Sequence, residues 1–349
     1  MKFLYIFLSL FVTLNIVAKE INVTYVKNPF NLQLIIMKKK SLLEKEFSKD
    51  GIKIKFHVID SGAKQAQAVA AGRVDICGVI NTTSIIIAAT QNINIHMVRA
   101  ISKPVDVFSV MTANKEINSI KDLKGKTVAG PPGTLLHQIL LKALSKNGMN
   151  SKDITLIPMS IPQASAAMLA GKVDVALLAA GQMLKAEKEG ARILTTAKGL
   201  VLPKLVVGVR EAFLKEHPDW VSRYIKVQNE AMEFIKNNKS EALQLGAEEH
   251  GISYKEAEQL YKRSHLTNTL TCTDISSFQE DVNFLLKHNL IIKKIEIIPT
   301  NAEVKLYIVN LIKAKLAMHE FGFRSILQNN KVLNEFSFNN TSRSPFSIN

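Results

Sequence analysis

Ala66-Gln-Ala-Val-Ala-Ala-Gly-Arg-Val-Asp-Ile76 and Ser165-Ala-Ala-Met-Leu-Ala-Gly-Lys-Val-Asp-Val175 carry one pattern twice. Each reads as an Ala-rich helix stopped by a glycine, then a basic residue and a Val-Asp pair that open an apolar strand. Gly72 and Gly171 suit the left-handed stop, because glycine alone takes positive φ without steric cost. Upstream of each lies an alternating apolar stretch, Ile52 to Val58 and Ile154 to Pro158. Further upstream come Ile21 to Tyr25 and Thr127 to Ala129, each running into a proline-bearing turn and a helix. The middle of the chain is therefore a duplicated strand–helix–strand–helix–strand unit. Strands alternating with helices of this length predict an α/β fold with parallel, doubly wound sheets.

Two further apolar stretches, Arg99 to Val110 and Leu200 to Val209, are expected to cross between the units as a two-stranded hinge. This divides the chain into a first lobe of residues 19–102 and 206–300 and a second of 106–200. Beyond the second crossing the pattern is helical. Trp220, Tyr224, Val227, Ala231 and Phe234 share one face after Pro218. Ser240 and Ser253 are placed to cap two more helices. Phe278, Val282 and Leu285 form the apolar stripe of a last one, residues 276–288.

The chain opens with Met1-Lys2, an apolar run from Phe3 to Val17, and Ala18. That is the pattern of a secretory signal peptide, cleaved near Lys19 or kept as an anchor. No cysteine stands near Ala18 to take a lipid, so a periplasmic protein is expected. Residues 301–349 form a C-terminal extension. Val304, Ile308, Leu311, Ile312 and Lys315 suggest a helix there, followed by an Asn/Ser-rich end.

The 349 residues carry 45 Lys and Arg against 30 Asp and Glu, a net charge of +15. The basic residues are scattered among acidic ones, which points to a solvated surface rather than nucleic acid. Cys77 and Cys272 have no metal or redox spacing. The sequence contains no Gly-x-Ser-x-Gly, P-loop, His-Glu-x-x-His or Gly-x-Gly-x-x-Gly motif. No catalytic residue, metal or cofactor is expected.

In open α/β sheets, ligands bind beyond the carboxyl ends of the strands, where helix N-termini present unpaired N–H groups. Six loops lie there: Lys27-Asn28-Pro29-Phe30, Ser61-Gly62-Ala63-Lys64, Ile80-Asn81-Thr82-Thr83, Gly130-Pro131-Pro132-Gly133-Thr134, Met159-Ser160-Ile161-Pro162 and Ala179-Ala180-Gly181. None contains an acidic residue, which favours an anionic or neutral polar ligand. The candidate ligand-binding residues are Lys27, Asn28, Phe30, Ser61, Gly62, Asn81, Thr82, Thr83, Pro131, Gly133 and Thr134, with His137, Met159, Ser160, Ala180 and Gly181. Ser61, Thr134 and Ser160 are equally suited to capping helices, and Phe30 to the core.

Gly72-Arg-Val-Asp75 with Asn81-Thr-Thr83, Ile120-Lys-Asp-Leu-Lys-Gly-Lys-Thr-Val128, Ala170-Gly-Lys-Val-Asp174 and Phe213-Leu-Lys-Glu-His-Pro-Asp219 resemble a known family over residues 20–295. The family is the periplasmic substrate-binding proteins of ABC importers, in the branch handling nitrate, taurine, alkane sulfonates and thiamine-pyrimidine precursors. The resemblance implies two α/β lobes that close on a small solute and a monomer that serves an ABC permease and its ATPase. Membrane contact would be made only through the permease. An enzyme or sensor on the same scaffold is the alternative, but the Cys-rich iron-binding motif of the pyrimidine synthases that share the fold is missing.

Overall fold

The structure, a computed structural model, describes residues 19–26, 30–300 and 305–310. The expected signal peptide, most of the C-terminal extension, and Lys27 and Asn28 lie outside the described residues. The chain begins with β1 (Glu20–Tyr25), α1 (Leu32–Lys39), α2 (Leu42–Phe47), β2 (Lys53–Val58), α3 (Gly62–Ala70), β3 (Ile76–Asn81), α4 (Thr82–Thr90) and β4 (Ile95–Ser102). It crosses into β5 (Phe108–Thr112), β6 (Thr127–Gly130), α5 (Leu135–Lys146), β7 (Thr155–Pro158), α6 (Ile161–Leu169), β8 (Val175–Ala179), α7 (Ala180–Lys188) and β9 (Arg192–Thr196). It returns through β10 (Leu205–Arg210), α8 (Glu211–Glu216), α9 (Pro218–Asn237), α10 (Lys239–His250), α11 (Tyr254–Ser264), α12 (Cys272–Lys287), β11 (Ile295–Thr300) and β12 (Lys305–Asn310).

Two sheets result, one in each lobe. The second has the order β7-β6-β8-β5-β9, and the first repeats it as β2-β1-β3-β10-β4, extended at the β4 edge by β12 and β11. In each sheet the first three strands are parallel. The strand that has just crossed from the other lobe, β10 or β5, inserts antiparallel to its two neighbours. The parallel strands expected of the duplicated unit are present in each sheet, and each sheet as a whole is mixed because a strand arriving from the opposite lobe enters with reversed direction. The crossings also differ from continuous hinge strands. Residues 103–107 and 197–204 carry no strand, and proline interrupts both at Pro104 and Pro203.

The sequence repeat has a structural cause. Gly72 and Gly171 take φ of 67° and 66°. The next residues, Arg73 and Lys172, donate their amides to Ala68 O and Ala167 O at 2.9 and 2.8 Å, turning the chain out of the helix. Asp75 then accepts the backbone N–H of Asn22 in β1 at 2.9 Å, and Asp174 that of Thr127 in β6 at 2.9 Å. The paired aspartates therefore clasp each unit's first strand to its third.

The apolar stripes fall inside. Trp220, Tyr224, Val227 and Ala231 are buried on α9, with Ile235 buried beyond them and Phe234 half-buried. Phe278, Val282 and Leu285 are fully buried on α12. Cys77 is a buried free thiol whose pKa burial raises to about 12. Two helix starts differ from expectation: α10 begins at Lys239 after Asn238 rather than at a Ser240 cap. The last helix begins earlier, at Cys272, with a capping box between Thr271 and Asp274. Ser253 does cap α11, with Glu256 completing the box. Residues 305–310, where the spacing suggested a helix, form a strand paired with β11. Their Tyr-Ile-Val content favours extended backbone.

Candidate functional site

A cavity of about 40 Å³ lies between the lobes, roughly three times the space one water requires. Its walls come from equivalent places in the two units. Val26 follows β1, Asp60 and Gly62 follow β2, and Asn81 ends β3. From the facing lobe come Pro131 and Thr134 after β6 and Ile161 after β7. Phe108 and Leu205, the first residues of the two crossing strands, line it as well, and Gln65, Val79, Ile80, Leu135 and Leu136 complete the wall.

The helix starts around this cavity are not all capped alike. Asn81 accepts the amide of Ser84 at 2.9 Å and so caps α4. Ser160 forms a capping box with Gln163 on α6. Ser61 makes no side-chain cap on α3. Thr134 makes none on α5, because its hydroxyl donates backward to Pro131 O at 2.8 Å. Gly62 and Leu135, at the starts of α3 and α5, both line the cavity. One helix from each lobe therefore directs the positive end of its backbone dipole at the same small space, where a bound anion would be stabilised.

Glycine at position 62 follows from close helix contact: a Cβ there would stand 2.5 Å from Ser84 Oγ and 2.8 Å from Asn81 Nδ2. The lobes also touch directly, Ser84 Oγ donating to Gly133 O at 3.0 Å.

Of the candidate ligand-binding residues, Gly62, Asn81, Pro131 and Thr134 line the cavity. The others within the described residues do not. Phe30 is core, packed on His250 with ring centroids 5.2 Å apart. Thr82 is buried, its amide donating to Lys204 O at 3.3 Å, and the Thr83 hydroxyl donates to Gln138 Oε1 at 2.5 Å. Gly133 supplies backbone contacts, its amide donating to His137 Nδ1 at 3.3 Å. His137 is 8% exposed, and burial lowers its pKa to about 4, which leaves it a neutral acceptor. Ser61 and Met159 are half-buried beside the cavity loops. Ser160 is occupied by its capping box. Ala180, at a φ of 46°, and Gly181 are buried at the start of α7, with Gly181 against His250 and Ile252.

The sequence reading missed Asp60, which stands one residue before the Ser61 loop and puts a carboxylate on the wall. Its position at the carboxyl end of β2 was the available signal. Phe108 and Leu205 were missed because the crossings were read as continuous strands rather than as two strands starting at the cleft. Among the described lining residues Asp60 is the only ionisable side chain. No group of three His, Cys, Asp or Glu among the described residues could hold a metal ion, and no described helix is long and apolar enough to cross a membrane.

The chain is similar to several known proteins. A Bacillus subtilis protein named for binding aliphatic sulfonates is 30% identical over 269 residues, covering 76% of this chain and 80% of that protein. The taurine-binding periplasmic protein of Escherichia coli K12 is 29% identical over 197 residues, 55% of this chain and 61% of that one. Among solved structures, the alkanesulfonate-binding protein SsuA from Xanthomonas axonopodis pv. citri, bound to MOPS, superposes with a TM-score of 0.71 at 21% identity, over 79% of this chain and 95% of its own. The desulfurization enzyme DszB shares the fold more distantly, at a TM-score of 0.57 and 14% identity, over 79% of this chain and 94% of its own. The family described as NMT1/THI5 like matches residues 46–242. With that match over more than half its length, and with two lobes built on the duplicated unit, the chain belongs to the NMT1/THI5-like family.

Proposed function

We propose that the protein is the solute-binding component of an ABC import system, acting as a periplasmic monomer. It captures a small anionic solute between lobes 19–102 plus 206–300 and 106–200, and delivers it to a membrane permease. The observation that carries this reading is the pair of uncapped helix starts, α3 and α5, that face one interlobe cavity. A tetrahedral or planar acid group there would accept N–H bonds from both lobes at once, and exclusion of water would strengthen those bonds. Because the bonds come from both sides, the closed form binds the solute better than the open form. That difference in affinity shifts the lobes further toward the closed form once solute is present. The relatives' names direct the choice of solute to sulfonates, taurine among them. Residues 1–18 are read as the export signal.

An enzyme on the same scaffold is the competing reading, since DszB shares the fold. Against it, no nucleophile stands beside a base among the described residues lining the cavity. Asp60 has no neighbouring cysteine or histidine in the lining, and the Thr134 hydroxyl is engaged by Pro131.

A thermal-shift screen over 2-aminoethanesulfonate, ethanesulfonate, nitrate and pyrimidine phosphates tests the reading. A ligand at 100 times its Kd should stabilise by about 2.7 kcal/mol, raising the Tm by about 4 °C for a chain of this size. No shift with any of them would overturn the anionic-solute reading, and turnover of a sulfonate would favour the enzyme.

A further inference from the structure

Behind the cavity, away from its lining, lies a buried polar cluster that solute binding does not use. At its centre is Asp281 on α12, whose two carboxylate oxygens face different partners. Oδ1 accepts from Gln138 Nε2 at 2.6 Å and lies 3.5 Å from Lys142 Nζ, both on α5 of the second lobe. Oδ2 lies 3.4 Å from Nζ of Lys204, a lysine with no exposed side-chain surface at the end of the second crossing segment. Lys204 Nζ also donates to Ser277 Oγ at 2.7 Å and Leu202 O at 3.0 Å, and sits 4.7 Å from the centre of the Phe278 ring. The amide of Gln138 completes a second link, its Oε1 accepting from Thr83 on α4 of the first lobe at 2.5 Å. The first crossing segment meets the same helix, through Lys103 and Asp274.

α12 itself is fixed to the first lobe. Phe278 packs with Ile85, Ile95, Met97 and Val206, and Val282 and Leu285 pack with Ile86 and Ala89. One helix of the first lobe thus contacts both crossings and a cavity-forming helix of the second. The cluster lies close behind the cavity along both helices. Gln138 is one turn from Thr134, whose carbonyl accepts its amide at 3.0 Å, and Thr83 is two residues from Asn81.

We propose that Asp281, with Gln138, is a positioning residue: it locks α5 and the Lys204 crossing onto α12 and holds the two lobes at the separation the cavity requires, before any solute arrives. The physical basis is direction. A carboxylate shared between Gln138 and Lys204 is satisfied only when α5 and the crossing segment sit at one relative position. Opening the lobes would strand a buried charge and a buried amide without partners. The inference rests on the solute-binding reading for its purpose, but its test needs no solute.

The experiment measures the lobe separation of the ligand-free full chain by double electron–electron resonance. Spin labels are placed at Lys55→Cys and Lys152→Cys in a Cys272→Ser background. Without further change, the distribution should be dominated by one short separation. Gln138→Met removes both cross-lobe bonds of the amide and leaves the Asp281–Lys204 pair, so it should fold and add a second population displaced by several Å. Asp281→Asn should show the same displacement together with a lower Tm. A merely structural role would lower the Tm without moving the distance. The proposal is overturned if the Gln138→Met distribution superposes on the unaltered one, or if the ligand-free protein without these changes is already mostly open. Should Asp281→Asn fail to fold, Gln138→Met still decides. A failed ligand screen beside a displaced Gln138→Met distribution would remove the solute class and leave the lock standing.

Discussion

Asp60 stands at a cavity whose other polar side chains are two amides, Gln65 and Asn81, and the Thr134 hydroxyl. Gln65 is already committed, accepting from Thr24 at 2.7 Å and donating to Val79 O at 3.0 Å. A solute with an acid group at one end and an ammonium at the other would meet helix N–H groups and a carboxylate respectively. Asp60 is exposed, so its contribution to such a pair is modest, about 1 kcal/mol or less. Asp60→Asn should therefore weaken 2-aminoethanesulfonate by up to about fivefold and leave ethanesulfonate unchanged when both are titrated calorimetrically. Equal loss of both would assign Asp60 to the fold instead of to selection. The expectation of a wall without acids failed by one position, since the loop was taken to begin at Ser61 while the strand ends at Val58.

At the scale of elements, the contrast among helix starts matters more than their number. α4 and α6 have capping side chains, and α3 and α5 leave their first N–H groups to whatever occupies the cavity. Sequence alone suggested Ser61, Thr134 and Ser160 equally as caps, because all three are hydroxyl residues before helices. What separates them is the backbone around each. Thr134 follows a Pro-Pro-Gly turn that brings Pro131 O within reach of its hydroxyl, and Ser160 has Gln163 at the third helical position to complete a box. Thr134→Arg should fill the mouth of α5 with a bulky cation. We expect solute affinity to fall at least 100-fold by calorimetry while the circular dichroism spectrum is unchanged; retained affinity would remove this helix from the site. The glycine stops and the Val-Asp pairs were legible because they recur in fixed positions. The role of Asp75 and Asp174 as strand clasps was not, since their partners Asn22 and Thr127 lie far away in sequence.

For the whole molecule, acid should loosen the fold before the carboxylates titrate. His137 and His250 are both held near a pKa of about 4, mainly by burial, against an ordinary value of 6.5. The unfolded chain therefore binds more protons than the native one between those values, and stability falls as pH drops from about 6.5 towards 4. Each histidine contributes up to about 1.4 kcal/mol per pH unit in that window. Glu256, whose pKa is held at about 2 by hydrogen bonds from Ser253 and then Lys188, adds its own loss only at lower pH. Denaturant midpoints measured from pH 7 to 5 should decline, and His137→Gln with His250→Gln should flatten the decline; an unchanged slope would locate the proton uptake elsewhere. The two-lobed α/β plan was readable from the duplicated unit alone. The reversed strands were not, because strand direction is decided by where the chain has come from.

The sheet orders also set a timetable for a chain emerging from its N-terminus. The second sheet is complete once residue 196 is available, since all five of its strands come from one uninterrupted stretch. The first cannot close then, because β10 belongs between β3 and β4, which until that moment present bare edges to each other and to any neighbour. A nascent or translocating molecule thus holds a finished back half beside an unfinished front half. The bare edges of β3 and β4 last from the emergence of residue 102 to that of residue 210, and that is the interval a chaperone would have to cover.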